Sequence, residues 1–410
     1  MSNNFMNVSL KDNPTVYVSE ITKKFSLRGQ TLPRQVYRIP LNLLHYNNKN
    51  GRIATLISKW EAENGYSITK LDGEQYNETI ESYIIKSNKP AFEKTMKSIR
   101  SISQREAGVV LNDGCIIDGN RRYTCLRKLY EETSSPEFAY FEAVILDPEI
   151  SSDEKEIKRL ELELQHGQDE KVSYNPIESL IDVYKTCEEE KILTTKEYAD
   201  NIGKSESAVK KDLEQAKIIV DFLDYIGAPG KYYIAVDLQL DASVFEIYNI
   251  KQKVADEETW NKAKIVLYEN MLVKPKGDIK YVMRDIRRIV NSDYFDDYYN
   301  EHLKIAKPLE TALKINDDID STYIINEIRS NDILKKNMAD NVDEYSAKIS
   351  IENIKKLPIE KMNDIVESLG KIDLEALTHM SLEDKNNFKE AFNDAKKKIE
   401  EIERVLNEVN

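Results

Sequence analysis

The chain has 410 residues, 40% hydrophobic and 32% charged, which is too long for one compact core and has the composition of a water-soluble globular protein. Its net charge of −14 excludes coating of nucleic acid by bulk electrostatics. No apolar run reaches the ~18 residues of a membrane-spanning helix, and the scarcity of breakers (13 Gly, 11 Pro) favours helices over a loop-rich all-β chain.

The amino terminus lacks the charged-then-apolar layout of a secretory leader. Cys115, Cys125 and Cys187 have neither zinc-ligand spacing nor a disulfide framework. A cytoplasmic location is the expectation from both. Residues 1–30 are polar and read as a loosely attached arm. Residues 36–44 form a strand-like run, 53–63 have helical spacing, 65–77 read as a loop, and 90–102 as a second helix. Asn112-Asp113-Gly114 between apolar runs is hairpin chemistry, placing two strands within 107–118. The period then switches to 3.6 over 119–132, and 138–146 return to a strand ended by Asp147-Pro148.

From about 152 onward the periodicity is helical, with 234–245 ambiguous. Residues 388–409 are expected to form an amphipathic helix that either packs on the core or joins a coiled coil. The fold class expected is an α+β domain over 31–150, a helical domain with a helix-turn-helix over 151–230, and a helical carboxy-terminal domain over 231–410. The chain is mostly α overall.

The residues richest in chemistry are Asp118, Gly119, Asn120, Arg121 and Arg122, where a strand feeds a helix start. The first N–H groups of a helix have no partner within it and its dipole favours an anion there. Gly119 permits a tight turn and close approach of a phosphate. The forked cations of Arg121 and Arg122 match phosphate oxygens. Two further segments follow. Asn175-Pro176-Ile177-Glu178 is a helix start with an Asn cap. In 194–227, Thr195 is read as the cap of a first helix with Tyr198, Ala199 and Ile202 inward. Gly203 makes the turn, and Ser205 opens a second helix carrying Ser207, Lys210 and Lys211.

Ile39-Pro40, Asn50-Gly51-Arg52, Ser98-Ile99-Arg100, Gly119-Asn120-Arg121-Arg122, Asn175-Pro176-Ile177-Glu178 and Gly203-Lys204-Ser205 occur in this order. In that order they resemble the ParB family of DNA-partition proteins and the wider ParB/sulfiredoxin superfamily, over roughly residues 35–225. The resemblance implies that Gly119, Arg121 and Arg122 contact the triphosphate of a nucleotide, CTP in the partition proteins, with Arg52 reaching the same pocket and Asp118 and Asn120 beside it. Glu161, Glu163 and Gln165 stand as candidates for the element that holds Mg²⁺. DNA is the implied partner, through Lys204, Ser205, Ser207, Lys210 and Lys211, and a dimer is implied by nucleotide-driven closure onto a second subunit.

The sequence departs from the family at Asn120, where partition proteins carry Glu, which places nucleotide hydrolysis in question. The family's Glu-Asn-Leu-Gln-Arg element aligns with Gly167-Gln168-Asp169-Glu170-Lys171 and is not reproduced. Sulfiredoxin's Cys after the motif Gly is Asn120 here, and Cys115 and Cys125 read as small core residues. The expected function is a nucleotide-binding, DNA-binding protein of a plasmid, phage or mobile element. The alternatives are a nuclease or phosphotransferase on the same domain, with Asp118 and Glu163 acting on a phosphoryl group, and an interaction subunit of a phage-defence system that binds a protein through 231–410.

Overall fold

In the computed structural model, residues 9–27, 30–151, 153–166, 175–316 and 318–408 are described. Two long strands open the fold, β1 (Tyr17–Leu27) and β2 (Gln30–Pro40). The short strand β3 (His45–Tyr46) and helices α1 (Ala54–Asn64), α2 (Gly73–Ser87) and α3 (Lys89–Ile102) follow. Next come β4 (Gly108–Val110), β5 (Cys115–Asp118), α4 (Asn120–Thr133) and β6 (Tyr140–Ile145). The six strands form one mixed sheet in the order β1-β2-β6-β4-β5-β3. β4 lies parallel to β6, and β3 parallel to β5.

The sheet is covered on both faces, and the two-residue period of its central strands sorts the side chains. On β6, Phe141, Ala143 and Ile145 join a core with Ile80 of α2, Ile99 of α3 and Leu126 of α4. The alternate Val144 packs with Val109, Ile117 and Leu160 on the other face. Leu160 belongs to α6 (Glu154–His166), which follows the one-turn helix α5 (Pro148–Ser151).

The structure changes two sequence expectations here and resolves one open stretch. Residues 17–27 are no loose arm but an edge strand paired antiparallel with β2. Their polar sequence reflects exposure at the sheet edge, where Phe25 is buried and Tyr17, Val18 and Ile21 stay exposed. Residues 73–77, read as loop, begin α2, because the Asp72 side chain caps the helix by accepting from the Gln75 N–H. The ambiguous 234–245 belong to two helices, α10 (Tyr233–Asp237) and α11 (Asp241–Lys251), joined by a turn at 238–240.

The helical part continues with α7 (Pro176–Tyr184), α8 (Thr195–Ile202) and α9 (Glu206–Tyr225), then α10 and α11. Helices α12 (Glu257–Val273), α13 (Ile279–Val290), α14 (Phe295–Ile305), α15 (Lys307–Ile315) and α16 (Ser321–Tyr323) follow. Next come α17 (Asp332–Gly370), α18 (Leu374–His379) and α19 (Leu382–Glu408). Two compact units result, Met1–Ser346 and Ala347–Asn410. The expected domains 31–150 and 151–230 lie within the first, and 231–410 are shared between the two. No described helix is long and apolar enough to cross a membrane.

A buried polar hub joins α6, α7 and α8 to the loop before α1. Asp182 of α7 accepts from the Lys158 ammonium of α6 at 2.7 Å and from the Tyr198 hydroxyl of α8 at 2.7 Å. A Cβ added at Gly51 would sit 2.6 Å from the same carboxylate, so the loop before α1 packs directly on it. Asp182→Ala leaves the buried Lys158 charge without its nearest counter-charge, which should cost about 3–5 kcal/mol. Urea unfolding of wild type and variant checks this, and a loss within ~0.5 kcal/mol, as at an ordinary surface site, refutes the hub.

Candidate functional site

Asn50 and Arg52 before α1, Lys94, Thr95 and Ser98 of α3, Arg105, the Asp118–Arg122 segment and Gln165 of α6 line a cleft of about 400 Å³. Each wall has a local cause. The Asn50 side chain accepts from the Arg52 N–H at 3.1 Å, closing a 3₁₀ turn over Gly51–Ile53. Gly119 is the first residue outside α4, with φ of 100°, and an added Cβ would lie 2.8 Å from Cζ of Phe141. Position 119 therefore demands glycine on both conformational and steric grounds. No side chain caps α4, so its leading N–H groups face the cleft end of the helix.

The two adjacent arginines have different surroundings. Arg122 is tethered, its NH2 donating to Asp118 Oδ2 at 3.0 Å and its NH1 to Glu106 Oε2 at 2.8 Å. Asp118 also accepts from Lys23 of β1 at 2.9 Å. Burial opposes the Asp118 charge, but Arg122 and Lys23 outweigh it and hold the carboxyl below its ordinary range. Asp118 is thus an anchor for two cations.

Arg121 has no carboxylate partner among the described residues. Burial, then the like charges of Arg52 and Arg122, press its pKa below the ordinary arginine value. Its Nε is buried without a hydrogen-bond partner, as is Oδ1 of the neighbouring Asn120. Desolvated cations at a helix amino terminus, with an unsatisfied donor beside them, are the chemistry of an anion cradle. The groups present therefore fit a polyphosphate.

They fit a protein-held metal poorly. Glu161 is buried, with Lys158 at 3.6 Å and Gln165 donating to it at 3.0 Å, and burial first of all raises its pKa. Glu163 has Glu156 and Arg159 as its charged neighbours instead. Two residues apart on one helix, the carboxylates face different surroundings, and Gln165 alone of the three candidates lines the cleft. Among the described residues no cluster of three His, Cys, Asp or Glu side chains could hold a metal. The aligned segment 167–171 lies outside the described residues.

The helix-turn-helix is present with altered details. Thr194, not Thr195, caps α8, through a capping box with Glu197. Gly203 turns the chain at φ 68° and Ser205 caps α9. Tyr198 and Ala199 pack inward with Val209 and Leu213, while Ile202 is half-buried beside them. The expected contact residues divide. Lys204, Ser205, Ser207 and Lys210 are exposed at the amino end of α9. Lys211 instead lies over the Phe245 ring of α11, 4.6 Å from its centroid. Lys204 pairs with Asp212 at 3.2 Å and Lys210 with Glu206 at 2.8 Å, so both lysines are partly neutralised within the chain.

Cleft residues missed by sequence reading are Lys94, Thr95, Arg105 and Glu106, together with Lys23 behind Asp118. Lys94 and Ser98 lie one turn apart on α3, and that spacing is the available signal. Burial pushes the Cys125 thiol up to about 12, which leaves it unreactive as a nucleophile. No family model matches the chain, and no curated protein matches it significantly.

The helix start at Asn175 supplies a pH test. Burial lifts Glu178 from 4.5 to about 7, against the Thr55 hydrogen bond and the Arg52 charge. The folded state therefore keeps a proton that the unfolded chain releases, so this stability is full below pH 4.5 and is lost as pH rises towards 7. Glu178→Gln should remove that dependence. The melting-temperature advantage of the variant over wild type should grow between pH 5 and 7.5, flanking the shifted value. An advantage that stays constant across the range contradicts the assignment.

Proposed function

We propose that this protein binds a nucleoside triphosphate by its phosphates in the cleft at the amino end of α4, in the manner of ParB-like proteins. The observation that carries the reading is Arg121, a largely buried cation beside Arg52 with an unsatisfied Nε and no carboxylate partner among the described residues. A bound polyphosphate relieves this cost, whereas a purely structural arginine would be expected to carry a counter-ion. CTP is the first candidate ligand, by the ParB resemblance of Gly119-Asn120-Arg121-Arg122. Any Mg²⁺ is taken to arrive with the nucleotide.

Binding is favoured over cleavage. The carboxylates lining the cleft, Asp118 and Glu106, are engaged by arginine and lysine, which leaves them poorly placed as general bases. Isothermal titration with each of the four nucleoside triphosphates and with inorganic tripolyphosphate tests the reading. Arg121→Ala should weaken binding by about 1.5–3 kcal/mol, the value of a charge-assisted contact, without lowering stability. Arg122→Ala should weaken binding and also destabilise the fold, because Asp118 loses a partner. Unchanged affinity for every ligand in folded Arg121→Ala, or no binding by wild type, refutes it.

The same reading includes DNA as a partner through the amino end of α9. The basic residues exposed there are Lys204 and Lys210, so each subunit neutralises few phosphates. With about two per subunit the slope of log K against log salt is near −2. Lys204→Glu with Lys210→Glu should abolish binding without unfolding the helices. Gel-shift titration at several salt concentrations decides it, and tight binding that survives the double variant moves the contact elsewhere.

A further inference from the structure

From Ser350 to Glu408 no described side chain is buried, although this stretch is almost wholly helical and rich in large apolar residues. A soluble unit of this size ordinarily buries an apolar core to offset the entropy of ordering its chain. Within α19 the apolar positions are not scattered. Phe388, Phe392, Ala395, Ile399, Ile402 and Leu406 follow one another at spacings of 4, 3, 4, 3 and 4. That is the alternation of the inner positions of a coiled coil, with Phe392, Ile399 and Leu406 at one and Phe388, Ala395 and Ile402 at the other. Phe392 and Leu406 are 57% and 64% exposed, and Ile399 and Ile402 are 41% and 42% exposed. No side chain of α19 is buried; Lys385 donates to the Thr378 carbonyl of α18 and Phe388 is half-buried, and from Phe392 onward the seam is left exposed.

The geometry points to a second copy of this chain as the occupant, in a parallel, in-register two-stranded coil along α19. Charge decides both the partner and the direction. In a parallel pair the residue just before each Phe392-type position faces, on the other strand, the residue five further along. Asp384 then meets Lys389 of the second copy, and Lys398 meets Glu403, each twice by symmetry. An antiparallel pair of full overlap instead sets Lys396 against Lys396 and Lys398 against Lys398, repulsions that offset its Lys389–Glu403 pairs, whereas the parallel pair has attractive contacts alone. Within one chain Lys398 pairs with Glu401 at 2.9 Å across an exposed surface, a contact weak enough to exchange. The inference stands apart from the cleft, since no residue of it is used.

Sedimentation equilibrium of the full chain over a wide concentration range tests the proposal. The expected mass is twice the 47.5 kDa of one chain. Ile399→Asp with Ile402→Asp should return it to one chain mass with helix content retained by circular dichroism. Because an apolar-to-acid change can disturb a helix, an exposed charge swap is the second arm. Glu403→Lys should weaken the dimer, and Lys398→Glu added to it should restore it. A wild type that stays at 47.5 kDa overturns the proposal and leaves the seam to a different protein. A dimer that survives Ile399→Asp with Ile402→Asp also overturns it, as does a charge swap without restoration.

Discussion

The carboxylate of Asp182 is the constraint that ties the cleft loop at Gly51 to helices α6, α7 and α8. It is buried and satisfied by a cation from α6 and a hydroxyl from α8, and it abuts the backbone at Gly51. Replacing such a pair with apolar groups can be neutral, but removing one member exposes the other to the full cost of desolvation. Its position also matters for function. Gly51 sits between Asn50 and Arg52, which line the cleft, and α6 contributes Gln165 to the same cleft while its Lys158 reaches Asp182. The cleft and the helix-turn-helix therefore share one polar anchor.

Around the cleft, positive charge is distributed by a single strand-to-helix turn. Asp118 ends β5 and collects Lys23 and Arg122, and the neighbouring Arg121 is left without an acid. One arginine builds the wall and the next faces an unmet electrostatic demand, although both stand in the same motif. A motif read as a string treats the two alike. The difference arises from Asp118, four residues before Arg122, and from Glu106 on the loop before β4, both of which bind Arg122 and leave Arg121 aside.

The helix-turn-helix follows a similar logic. Its inward face was legible, because Tyr198 and Ala199 opposite Val209 and Leu213 are spaced for one buried stripe. Its outward face was legible only in part. Lys211 has the spacing of a contact residue, but α11 brings Phe245 and Tyr248 beneath it. The neutralised lysines at the amino end of α9 are in keeping with a chain of net charge −14.

Local chemistry by itself determined the parts that depend on near neighbours. The hairpin at Asn112-Asp113-Gly114, the glycine turn into α4, the Asn175 cap and the apolar stripe of α19 each follow from residues within about one or two helical turns. The mostly α architecture with an amino-terminal α+β part follows from the same local periods. Tertiary structure alone decided the edge strand over 17–27, the division of labour between Arg121 and Arg122, the scattering of Glu161 and Glu163, and the burial of Asp182. The edge strand and the buried carboxylate depend on partners many residues away, and long-range pairs also shape the cleft, Lys23 to Asp118, Glu106 to Arg122 and Lys158 to Asp182 among them. Burial and Coulomb energy are set by distance in space, and one sequence read alone does not carry that distance.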